Sequence, residues 1–121
     1  MRAKYLDFTN KLVQLVQTVF NDKKRTVTTD QKEKHDYVTN VDIALEKSII
    51  DFIGREFPLH KIIGEESVTD EIDFSQPTWL IDPLDGTSNF IFDIPFYGCS
   101  IAYVADNRVQ LGLVIDLTRQ E

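Results

Sequence analysis

The stretch that most narrows what this chain can become is Trp79-Leu80-Ile81-Asp82-Pro83-Leu84-Asp85-Gly86-Thr87-Ser88-Asn89-Phe90. Its opening, Trp79-Leu80-Ile81, has the composition of a short buried strand. Pro83 has no N–H for a ladder and restricts the residue before it, which predicts that the strand gives out at Asp82. Asp85-Gly86 predicts a tight turn, and Thr87-Ser88 supplies hydroxyl residues of the kind that open a helix. Two carboxylates and a set of helix-opening amides are thereby expected to face one crevice. Hard divalent cations take carboxylate and carbonyl oxygens, and helix-opening amides take an anion, so the crevice suits a cation and a phosphate together.

Asp-Gly alone is a common turn signal, but the longer pattern Asp-Pro-(Ile or Leu)-Asp-Gly-Thr is expected by chance on the order of once in ten million starting positions. It is not an EF-hand, whose acidic ligands alternate before the glycine. Gly64-Glu65-Glu66-Ser67 followed by Trp79 to Phe90 resembles the inositol monophosphatase family of metal-dependent, lithium-sensitive phosphatases. The likeness runs from the first predicted helix to the last residue. It implies a layered α/β sandwich of the inositol monophosphatase and fructose-bisphosphatase type, of which residues 1–121 are expected to be the N-terminal portion. The C-terminal half, which in the family supplies another metal-binding aspartate and much of the substrate pocket, is expected to be absent.

The same resemblance implies Mg²⁺ as cofactor, held by Glu65, Asp82, the Leu84 carbonyl and Asp85, with Asp82 bridging two ions. It implies that Asp42 and Thr87 orient the attacking water, and that Gly86, Thr87 and Ser88 bind the substrate phosphate. The reaction implied is hydrolysis of a phosphate monoester, first of all an inositol monophosphate, and residues 1–121 alone are expected to carry it out incompletely. Fructose-bisphosphatases and bisphosphate nucleotidases of the same superfamily are the alternatives, and a noncatalytic metal-binding or dimerising module is the alternative of another class.

Thirteen basic against twenty acidic residues, a net charge of −7, disfavour nonspecific binding to nucleic acid or to an anionic membrane. The single cysteine, Cys99, lies in a strand-like apolar run, which predicts a core role and a reducing compartment. No run approaches a bilayer-spanning length, so the cytoplasm is the expected location. A small phosphate ester is the expected partner, together with pairing of two copies through an open sheet edge.

Around the central motif, apolar residues at Tyr5, Phe8, Leu12, Leu15, Val16 and Val19 predict an amphipathic helix over 3–20. Residues 26–38 are polar and aperiodic and read as an exposed loop or weak hairpin. The resemblance makes that region a segment folding over the metals, with Lys32, Lys34 and Asp36 as candidates. Thr39 or Asn40 can cap a second helix whose apolar face is Val41, Leu45, Ile49, Phe52, Ile53 and Phe57, ended by Pro58. Asp42 in its first turn reads equally as a simple cap. Strands are expected at 61–64, 78–82, 97–105 and 109–116, the last two joined by a hairpin at Asp106-Asn107-Arg108, with Gly112 marking a bulge or close approach. In extended chain only one of Glu65 and Glu66 projects into a given crevice, and the resemblance selects Glu65.

Overall fold

Phe8, Leu12, Val16 and Phe20 recur every four residues along helix α1 (Arg2–Lys23), and all four are buried. At 3.6 residues per turn that spacing keeps them in one stripe. The helix continues past its predicted end to Lys23, whose positive charge suits the negative C-terminal turn. Helix α2 (Asn40–Glu56) buries Val41, Leu45, Ile49 and Ile53 and packs beside α1. In this computed structural model the described backbone comprises residues 2–33, 36–64 and 72–119, with side chains described over 5–29, 38–64 and 72–119.

Between the helices, β1 (Thr29–Glu33) and β2 (Asp36–Thr39) form an antiparallel hairpin. The main sheet has the order β3-β4-β5-β6, from β3 (Lys61–Ile63), β4 (Thr78–Asp85), β5 (Gly98–Ala105) and β6 (Arg108–Asp116). β3 runs parallel to β4, and the other pairs are antiparallel. Trp79 and Ile81 of β4, Cys99, Ile101 and Tyr103 of β5, and Ile115 of β6 alternate onto the face that meets the helices. Phe8 ties the layers together, with its ring centroid 5.1 Å from Phe52, 5.2 Å from Phe57 and 5.6 Å from Trp79.

One buried cluster thus runs from Phe8 to Leu117. This corrects the expectation of a mere N-terminal portion of the sandwich. α1, α2 and the sheet close on a shared core, so the α/β sandwich takes in almost the entire chain.

Two local expectations are also corrected. β4 does not stop at Asp82 but continues through Pro83 to Asp85, because the register against β5 shifts between Asp82 and Asp85. A bulge is where a strand tolerates proline, since no ladder bond is asked of its nitrogen. Gly112 marks no bulge and no close approach, for it pairs with Ala102 and a Cβ there would meet open space. The irregularity in β5–β6 falls instead at Tyr103/Val104, opposite Leu111 and Val109. The connecting turn has Asp106 and Asn107 at φ 54° and 58°, the left-handed pair of a type I′ hairpin.

Candidate functional site

Helix α3 (Thr87–Ile91) follows directly on β4, and its N-cap is Gly86 at φ 86°. A Cβ at Gly86 would lie 2.7 Å from the Phe96 carbonyl oxygen, so both backbone conformation and space call for glycine. Thr87 and Ser88 do not cap the helix, as their hydroxyls were expected to; they are its first two residues, and no side chain caps it. The Thr87 hydroxyl points elsewhere. It lies 2.9 Å from Asp42 Oδ1 and 2.9 Å from the Leu84 carbonyl oxygen, and its single proton can be donated to one of them at a time.

Asp42 reaches this point because of its own cap. Thr39 is the N-cap of α2, and Asp42 occupies the third helical position, which closes a capping box. The Thr39 N–H donates to Asp42 Oδ2 at 2.8 Å, the Thr39 hydroxyl also contacts Oδ2, and the Asp42 N–H lies 3.2 Å from the Thr39 hydroxyl oxygen. One oxygen of the buried carboxylate therefore serves the helix, and the other faces Thr87. The cap reading and the pairing with Thr87 are both present in the same side chain.

Asp82 is half-buried at the bulge and Asp85 is exposed at the end of β4. Burial, then the charges of Asp85 and Asp42, push the Asp82 carboxyl above its ordinary value. The charges of Asp85 and Asp42 act on Asp82, and Asp82 and Asp85 together with the Leu84 carbonyl offer oxygen donors of the kind hard cations take. Among the described residues, no group of three His, Cys, Asp or Glu side chains converges as a complete metal site. Glu65 and Glu66 lie outside the described residues, as do Lys34 and the side chains of Lys32 and Asp36. A cavity of about 410 Å³ opens beside Asp85 and Gly86, with Asn89, Phe96, Ser100 and Arg119 on its walls. Cys99 is fully buried, and burial together with nearby Asp82 pushes its thiol up to about 12, which removes it as a nucleophile near neutral pH.

Two supporting contacts were not anticipated. Asn40 accepts from the Thr28 N–H and donates to the Thr26 carbonyl, both at 2.8 Å, pinning the approach to β1 onto the start of α2. The Asn89 amide donates to the Phe96 carbonyl at 2.8 Å and holds the loop after α3. The Thr-Asn-Val-Asp order was a readable signal for the first region. Nothing local announces the second.

The inositol monophosphatase family model matches residues 4–121. The chain belongs to the inositol monophosphatase family. The match overturns the expectation that the resemblance concerned an N-terminal half only, since the family's domain covers nearly the whole of these 121 residues. "Nus factor SuhB" of Haemophilus influenzae is 43% identical over 100 residues, 83% of this chain and 38% of the relative. An IMPase structure from Thermotoga maritima is 33% identical at a TM-score of 0.82, over 98% of this chain and 46% of that one. A staphylococcal inositol monophosphatase soaked in LiCl shares the fold at a TM-score of 0.89 and 24% identity, over 99% of this chain and 46% of that one. The chain spans less than half the length of each of these relatives. The family is that of metal-dependent phosphate-monoester hydrolases, and among the described residues no helix is long and apolar enough to cross a membrane.

Proposed function

We infer that the crevice between α2, the β4 bulge and α3 serves Mg²⁺-dependent hydrolysis of a phosphate monoester, with an inositol monophosphate as substrate. The observation that carries this reading is the Thr87 hydroxyl held between Asp42 Oδ1 and the Leu84 carbonyl, beside Asp82 and Asp85. Asp82, Asp85, the Leu84 carbonyl and Glu65 would hold the metal. Bound there, Mg²⁺ supplies charge stabilisation to the phosphoryl oxygens and makes water a better nucleophile. Thr87, with its proton directed to Asp42, presents lone pairs that can accept from a water and orient it. The Asp42 carboxylate, fixed at its other oxygen by Thr39, keeps that hydroxyl from turning away. First-turn amides at Gly86, Thr87 and Ser88 lack intrahelical acceptors and can bind the phosphate, with the adjoining cavity receiving the alcohol portion.

A second reading rests on the relatives' name. Several proteins 38–45% identical to this chain are called Nus factors, a name that states no phosphatase activity, and the noncatalytic alternative is kept on that ground. Phosphate release at saturating Mg²⁺ from inositol 1-phosphate, fructose 1,6-bisphosphate and a nucleoside 3′,5′-bisphosphate separates the possibilities. The proposal expects the inositol ester to be hydrolysed best. Preference for either bisphosphate would move the chain to that branch of the superfamily, and no release from any of the three would leave the noncatalytic role.

A further inference from the structure

The two outer strands of the main sheet are guarded unequally. β3 offers three residues, too short an edge to recruit another strand. β6 runs for nine, Arg108–Asp116, and among the described residues no strand pairs with its far side. It holds no proline and no lysine, and its charges stand at its two ends, Arg108 and Asp116. Gln110 is the extra residue at its irregularity, since Val109 and Leu111 pair with the adjacent Val104 and Tyr103. From Leu111 the ladder to β5 is unbroken through Asp116. In that stretch, Leu111-Gly112-Leu113-Val114-Ile115 is uncharged, Val114 is 76% exposed, and a Cβ on Gly112 would meet open space. An unpaired apolar run along a sheet edge is a template for another strand.

We propose that β6 is a self-association edge, which pairs antiparallel with β6 of a second copy of this chain about a two-fold axis through Leu113. A two-fold strand pair must accept its own sequence reversed, and this one does. Centred on Leu113, the register sets Leu111 opposite Ile115 of the second copy, Gly112 opposite Val114, and Leu113 opposite its own counterpart. Leu111, Leu113 and Ile115 sit beside Tyr103, Ile101 and Cys99 of β5, on the face that meets the helices, so the apolar stripe continues across the junction. On the other face Val114 lies against the bare backbone of Gly112, where no side chain stands in its way. Charge sets the direction. Antiparallel alignment brings Arg108 of each copy toward Asp116 of the other, whereas parallel alignment sets like charges side by side. One strand edge is a small contact, so the association is of the weak, transient kind. Metal binding and turnover play no part in it.

The test has two parts, each on the 121-residue chain with folding of every variant checked by circular dichroism. Sedimentation equilibrium under reducing conditions is expected to show monomer and dimer in exchange. Val114→Lys, which changes a side chain already in solvent, should shift that equilibrium about tenfold toward monomer, since the change enters the pair twice. Disulfide trapping then reads the register. Native Cys99 is fully buried with its thiol pushed up to about 12, so an introduced cysteine supplies the accessible thiol. Facing residues of an antiparallel pair have Cα atoms about 4.5–5.5 Å apart, within disulfide reach. Under mild oxidation, an equimolar mixture of Gly112→Cys and Val114→Cys is expected to give the mixed dimer in large excess over either homodimer, told apart by mass. A chain that stays monomeric at millimolar concentration, or a dimer that Val114→Lys leaves unchanged, would overturn the proposal. So would cross-linking of Gly112→Cys or Val114→Cys chiefly to itself, which places the axis elsewhere than Leu113.

Discussion

Asp42 and Asp82 show how differently two carboxylates a short way apart are held. Asp42 accepts from Thr39 at one oxygen and from Thr87 at the other, so its charge is met by donors. Asp82 is pushed toward its protonated form by burial and by its acidic neighbours. A folded-state value raised above 3.8 contributes stability below the unfolded value, and that contribution is lost as pH rises through the folded one. At neutral pH the Asp82 charge therefore weighs against the metal-free fold. Asp82→Asn should melt slightly higher than the parent without metal, by a fraction of about 1 kcal/mol since solvent screens a half-exposed group, and should bind Mn²⁺ far more weakly. A variant that melts lower and binds equally would remove Asp82 from the site. Asp42→Ala should cost the fold about 1 kcal/mol through the lost cap, whereas Thr87→Val should leave the cap intact, so their melting temperatures tell the two duties of Asp42 apart.

Among the elements, the turn from β4 into α3 and the aromatic edge of the sheet make the sharpest claims. Gly86→Ala forces a Cβ into a left-handed backbone and against the Phe96 carbonyl, and should destabilise by about 1–2 kcal/mol in urea unfolding. A neutral result would mean that the turn rearranges freely. His60 is stacked between Phe57 and Tyr103, at 4.7 and 5.3 Å, and its Nδ1 accepts from the Trp79 indole N–H at 3.0 Å. Protonated Nδ1 cannot accept, and burial lowers the His60 value below 6.5. The folded state thus favours neutral imidazole: its contribution is fully present above the unfolded value and is lost as pH falls from 6.5 through the folded value. Trp79 fluorescence should titrate below pH 6.5 in the parent and not in His60→Phe; identical profiles would refute the coupling. The helices were legible because 3.6-residue periodicity and a Thr-x-x-Asp cap are written locally. The passage of β4 through Pro83 was not, because a bulge is settled by pairing with β5.

At the scale of the whole molecule, the grouping of the candidate residues was more legible than what holds them in place. Asp82, Asp85 and Thr87 could be read as one unit because they lie on a single strand–turn–helix, and family resemblance added Asp42, which the structure places 2.9 Å from Thr87 across a long stretch of chain. The contact of Asn89 with Phe96 depends on how separate elements pack, which no local pattern encodes. The extent of the sandwich was misjudged for the same reason, since its core joins Phe8 to Leu117. The central claim is that Thr87, between Asp42 and Leu84, orients water in a metal-dependent hydrolysis. Its most direct test is phosphate release from inositol 1-phosphate by the 121-residue chain and by Thr87→Val, each with saturating Mg²⁺ and after removal of metal by a chelator. Release that requires Mg²⁺ and falls about a hundredfold or more in Thr87→Val is the expected result, on the scale of lost general acid–base positioning. Release that persists without metal, or that is equal in the two proteins, would contradict it.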